Sequence, residues 1–165
     1  ALTWMVSGAF GVSITTFVGQ NYGAHKYDRV RQSVRVCLGM SIGTVGFISL
    51  LMVLFRRFIL GIYTTDGAVI EDGAYIISVI VPFAAAFMPV EIFAGTMRGM
   101  GDSLRPTVII CLSVCVVRVA WIMTVVKRYH ILLMLCICYP ITWVLCALVF
   151  IFNYCRSFRP KLEQV

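Results

Sequence analysis

The stretch FAGTMRGMGDSLRP, residues 93–106, decides the fold. One apolar run ends in Arg98-Gly99-Met100-Gly101-Asp102, and a second begins at once after Arg105-Pro106. Two long apolar runs joined by so short a turn are a membrane pattern. Gly99 and Gly101 permit the backbone angles of a tight turn. Arg98 and Arg105 hold that turn at the lipid headgroups, and Pro106 suits the first turn of the next helix. A phosphate-binding glycine loop is the rival reading, and the missing Gly-Lys-Ser/Thr argues against it.

The rest of the chain agrees with the turn. Of its 165 residues, 61% are hydrophobic and 13% charged, and the mean hydropathy is +0.95. Soluble domains are about 45–50% apolar and about 25% charged. A domain of this length has too much exterior to hide such an excess, so lipid is its natural solvent. Four runs, 36–55, 74–97, 107–126 and 131–152, reach the roughly 20 residues a helix needs to cross hydrocarbon. A fifth, 1–18, reads as the remainder of another span. Strands crossing lipid need only about 9–11 alternating residues. The expected fold is therefore all-α, a polytopic membrane bundle of about five transmembrane helices. Ala1 is not Met and no basic segment precedes the first apolar run, so no signal peptide is read there. The chain is taken as a fragment that lacks an N-terminal portion.

Charge sets the orientation. The segments 19–35, 98–106 and the tail from 153 carry nine Lys and Arg, against four in the connections on the other side. Lys and Arg mark the cytoplasmic face. The expectation is a C-terminus in the cytoplasm and Asp66, Glu71 and Asp72 outside. This asymmetry accounts for the net charge of +7. No basic patch with interleaved aromatics invites a nucleic-acid reading. Tyr27, Val30 and Val34 fall at helical spacing and predict an interfacial helix feeding the second span. Thr65-Asp66-Gly67 reads as an N-cap before the third. The seven cysteines are scattered through apolar runs as small packing residues. Cys136-x-Cys138 has no second pair and no histidine cluster, which argues against zinc. His25 and His130 both sit in loops, and no nucleophile–base pair or cofactor motif is present, so an enzyme is not expected.

Two ionisable residues fall inside spans, Glu91 and Arg118. Such residues face a bundle interior or a wet cavity. Two readings stand side by side: a structural Glu91–Arg118 pair, or a Glu91 carboxylate that binds an ion or proton. Pro82 and Pro89 loosen the helix where Glu91 sits, a recurring feature of ion sites in transporters. Pro140 bends the last span in the same way. Gly39-x-x-x-Gly43 matches the close-packing motif of membrane helices.

The turn Met97-Arg98-Gly99-Met100-Gly101-Asp102-Ser103-Leu104-Arg105-Pro106 resembles the RGxGD…P loop of the multidrug and toxic compound extrusion (MATE) transporters. Gly19-Gln20-Asn21-Tyr22-Gly23-Ala24, followed by Lys26 and Arg29, resembles that family's GQNxGA signature at the end of a span. The resemblance covers essentially the whole chain. It implies a twelve-span antiporter of two six-helix lobes that expels organic cations and drug-like molecules against Na⁺ or H⁺, with no cofactor. On that pattern these residues supply spans eight to twelve, most of the C-terminal lobe, and the N-terminal lobe of the same chain is missing. The expected location is the plasma membrane, with lipid as the surrounding partner. Several members of the family it resembles carry an acid in the tenth span about one turn before Glu91, where this chain has Phe87. Positions 87 and 91 share a helix face. Phe83, Phe87, Met88 and Phe93 become candidates for contact with flat organic cations. A lipid-linked oligosaccharide flippase of the same superfamily is the alternative, favoured by the charge on Arg118. A non-transporting membrane scaffold is the alternative from another class.

Overall fold

A computed structural model describes residues 2–129 and 132–158. His130, the first residue of the expected last span, Ile131, and the tail residues Arg159 and Lys161 lie outside that set, as does Ala1. The helices are α1 (Leu2–Gly23), α2 (Tyr27–Leu54), a short α3 (Arg56–Gly61) and α4 (Gly67–Ile80). A 3-10 segment, Val81–Phe87, connects α4 to α5 (Met88–Gly99). Then come α6 (the span Leu104–Val125) and α7 (Leu132–Asn153).

Among the described residues, four helical stretches are long and apolar enough to cross a membrane: α2, α4 through α5, α6, and Met134–Arg156, which begins in α7 and runs just past its end. The expected remainder at 1–18 is helical as well. It runs over 22 residues and carries several Ser, Thr and Gly. Its hydroxyls are spent on its own backbone: Ser7, Ser13, Thr15 and Thr16 each donate to the carbonyl four residues back. The expected helix at Tyr27, Val30 and Val34 runs on into the second span. No break separates it, and one helix of 28 residues runs from Tyr27 through Leu54. The expected N-cap holds, with Asp66 Oδ1 accepting from the Ala68 amide at 3.0 Å.

Helix directions follow from neighbouring pairs. Trp4, Phe87 and Trp143 meet at one level, and further along Gly11 faces Glu91 while Gly19 faces Gly99. Phe93, between those two levels of α5, stacks on Tyr154, beyond the end of α7. So α1, α5 and α7 run parallel. α6 runs against α7, since Arg118 meets Thr142 while Trp121 donates to the Met134 carbonyl. Both short turns, after α1 and after α5, therefore lie at one end of the bundle.

Ile14, Val18, Val30, Val34, Val90, Met97, Cys146 and Phe150 form the core where α1, α2, α5 and α7 converge. α6 lies at the edge: only 6% of its apolar stretch is buried by the rest of the chain, against 44% for α7. Gly39 and Gly43 face open space, so the expected close packing at that pair is not made among the described residues. It is made elsewhere. A Cβ on Gly95 would lie 2.6 Å from Ile14 Cγ2 and 2.8 Å from the Gly11 carbonyl oxygen, and one on Gly99 would lie 2.6 Å from the Thr15 carbonyl oxygen. Gly95-x-x-x-Gly99 is the small-residue pair that lets α5 lie against the α1 backbone.

Candidate functional site

The site begins with that close crossing. Gly11 has no side chain, and a Cβ there would sit 2.7 Å from Glu91 Oε2. The carboxylate occupies the room the glycine leaves. It opens on a cavity of about 390 Å³ walled by Gly11, Val12, Thr15 and Thr16 of α1 and by Glu91 and Arg98 of α5. Arg98 stands seven residues beyond Glu91, two turns along the same face. Its Nη2 approaches Glu91 Oε2 at 3.9 Å, with the side chains 42% and 25% exposed respectively. That is a loose ion pair, open to solvent from one side. Thr15 Oγ1 donates to the Gly11 carbonyl at 2.7 Å and Thr16 Oγ1 to the Val12 carbonyl at 3.1 Å. Each hydroxyl proton is committed, which leaves the oxygens as acceptors.

The expected Glu91–Arg118 pair is not formed. Arg118 donates from Nη2 to Thr142 Oγ1 at 3.3 Å, and its guanidinium lies 4.2 Å from the centre of the Tyr139 ring. It has no carboxylate partner among the described residues. The aromatic candidates also separate. Phe87 packs edge-on to Trp4, 5.0 Å between centroids, and beside Trp143 at 5.8 Å. Tyr139 extends this cluster toward Arg118 through Trp143 at 6.1 Å. Phe83 lies elsewhere, half exposed in an apolar trough against α7. Met88 is fully buried and Phe93 nearly so, so neither lines an open cavity.

Below the site, the sequence motifs become backbone wiring. Gly101 takes φ +89°. Its amide donates to the Arg98 carbonyl at 3.0 Å and the Asp102 amide to the Met97 carbonyl at 3.0 Å, the paired bonds of a Schellman helix end. Asp102 then accepts the Arg105 amide at 3.2 Å and meets Arg105 Nε at 3.1 Å. Pro106 is buried in the first turn of α6. The reading of Gly99 needs correcting: it is the last residue of α5, and space against α1 rather than backbone angle requires a glycine there. Gln20, Asn21 and Gly23 end α1. The Asn21 Nδ2 donates to the Phe17 carbonyl at 2.9 Å, and the Gln20 carbonyl accepts the Ala24 amide at 3.2 Å.

A family model described as MatE matches residues 1–124. The chain belongs to the MATE family of transporters. Over 105 residues it is 27% identical to "Probable multidrug resistance protein YoeA" of Bacillus subtilis (strain 168), a match covering 64% of this chain and 23% of that protein. The chain thus spans under a quarter of the length of this relative. The matched family region contains α1, α2 and α5, hence both turns and the Glu91 cavity of this MATE chain. Trp143 and Tyr139 lie beyond it.

Several site residues escape a reading of the sequence alone. Trp4, Gly11, Thr15 and Thr16 belong to a helix whose partner is not evident from spacing. The spacing of Glu91 and Arg98 is visible in the sequence, but pairing within one helix competes there with pairing across helices.

Proposed function

We infer that the chain forms part of a secondary exporter that moves drug-like organic cations outward by antiport with Na⁺ or H⁺. Glu91 is the coupling carboxylate, and its cavity opens alternately to the two sides as the lobes move. One observation carries the reading: a carboxylate at a close helix crossing, facing a cavity that Thr15 and Thr16 also line and loosely paired with Arg98. Intramembrane carboxylates are costly and mark ion paths. The Trp4, Phe87 and Trp143 faces offer flat surfaces for lipophilic cations. The end of the bundle that carries Lys26, Arg29, Arg98 and Arg105 faces the cytoplasm of a cell bounded by the plasma membrane. The N-terminal lobe of the same protein completes the cavity. No cofactor or catalytic step is needed.

Arg118 supports a second reading. A cation within a span and without a carboxylate partner among the described residues suits the anionic head of a lipid-linked oligosaccharide, and so a flippase. One experiment separates them. The full-length protein is reconstituted in liposomes, a Na⁺ or a pH gradient is imposed, and movement of a fluorescent organic cation is followed for wild type and Glu91→Gln. Gradient-driven export that collapses in folded Glu91→Gln supports antiport. Export equal to wild type in the variant refutes the coupling role, and absence of export under either gradient favours the flippase. A non-transporting scaffold predicts no export and no effect of Glu91→Gln beyond stability.

A further inference from the structure

We propose that Arg98 is a tethered counter-cation of Glu91. It occupies the carboxylate when no ion is bound and leaves it when a monovalent inorganic cation enters the cavity between α1 and α5. The proposal rests on the reading of Glu91 as the coupling carboxylate and adds a competitor to it.

The geometry is that of a displaceable pair. Nη2 and Oε2 are 3.9 Å apart, too long for a hydrogen bond and within reach of electrostatic attraction. Arg98 is a long side chain with 42% of its surface exposed, so it can withdraw toward the end of the bundle without unpacking. Glu91 is not free to follow, because its carboxylate is seated against the Gly11 backbone. What remains when Arg98 leaves is a set of hard oxygen donors lining one cavity: Glu91, with Thr15 and Thr16 as acceptors whose protons are already donated to Gly11 and Val12. Such donors suit alkali cations rather than soft metals. Charge selects valence. Glu91 and Arg98 are the ionisable groups lining this cavity, and a single positive charge replaces the single charge that departs.

Arg98 also carries the exchange to the turn. Its carbonyl accepts the Gly101 amide at 3.0 Å, and the next residue, Gly99, touches the Thr15 backbone. The side chain that leaves Glu91 therefore belongs to the residue on which the α5–α6 turn is hung. Ion entry and turn position are linked through one residue.

The test measures binding of radioactive Na⁺ to the full-length detergent-purified protein, without any transport step. Arg98→Gln removes the competitor, and its half-saturating Na⁺ concentration should fall at least about fivefold, the lower end of typical coupling between sites. Arg98→Lys keeps the charge and should stay near wild type, which also checks that position 98 tolerates change. Arg105→Gln removes a cation from the same end of the bundle but outside the cavity, and reports any general surface-charge effect. An unchanged Na⁺ affinity in folded Arg98→Gln, or a shift no larger than that of Arg105→Gln, overturns the proposal while leaving Glu91 in its role. Loss of Na⁺ binding in Glu91→Gln supports the underlying site. Wild-type Na⁺ binding in that variant removes the site itself, a distinct failure. Absence of Na⁺ binding in the wild type, with proton release on substrate addition, overturns the metal-cation form in favour of a proton.

Discussion

The turns after α1 and after α5 lie at the same end of the bundle and share one wiring, yet one uses glycine and the other does not. After α5, the amides of Gly101 and Asp102 return to Arg98 and Met97. After α1, the amides of His25 and Lys26 return to Tyr22 and Asn21, at 3.1 and 2.8 Å. The residue at the left-handed position is Gly101 in the first case and His25, with φ +56°, in the second. A non-glycine residue there carries a steric cost. His25 is held by its Nδ1, 2.9 Å from the Tyr27 hydroxyl, and by an edge-on contact with that ring. The same backbone geometry can thus be reached by removing a side chain or by anchoring one. Two glycines at one turn need not be there for the same reason: Gly101 has open space around it and needs its angle, whereas Gly99 has an ordinary helical angle and needs its space.

The largest effect is expected at the crowded glycine. Gly99→Ala places a methyl 2.6 Å from the Thr15 carbonyl and 2.9 Å from Val18 Cβ, and overpacking of this kind costs about 1–3 kcal/mol. Thermal unfolding of the detergent-solubilised protein should show the lowest midpoint of the series. A midpoint equal to wild type would break the distinction between space and angle. Gly101→Ala comes next, with a loss of about 1–2 kcal/mol from the left-handed backbone alone. That loss should be recovered by Gly101→Asn, which tolerates the angle better. His25→Gly sharpens the comparison from the other side. Relief of strain should raise stability by up to about 1 kcal/mol, less whatever the Tyr27 contact contributes. A net loss would mean that the His25–Tyr27 hydrogen bond outweighs the strain. Gly39→Ala, on an open face, should change stability by under about 0.5 kcal/mol. A clear loss there would show that another helix lies on that face in the complete transporter.

What the sequence disclosed follows the same divide. Features made by neighbours along the chain were legible: the Asp66 cap, the Gly101 turn, and helices long and apolar enough for lipid. Features that depend on which face meets which were not. Gly39-x-x-x-Gly43 and Gly95-x-x-x-Gly99 are the same pattern, and among the described residues only the second meets another helix. Glu91 is recognisable as a costly residue in a span, but spacing alone does not choose between Arg118 across helices and Arg98 two turns down its own helix. Arg98 itself read as a headgroup anchor because it stands beside the turn.

The 3-10 stretch Val81–Phe87 changes how α4 and α5 must be indexed. Three residues per turn instead of 3.6 advance the chain by about 20° more at each step, roughly 140° over the seven residues. Phe83 and Phe87, about 40° apart on an α-helical wheel, are separated by roughly 120° here. One therefore borders the apolar trough against α7 while the other joins Trp4 and Trp143. A wheel drawn through the whole span assigns every residue before Pro82 to the wrong azimuth relative to Glu91. Cross-linking or accessibility maps of this helix must be phased separately on either side of that stretch.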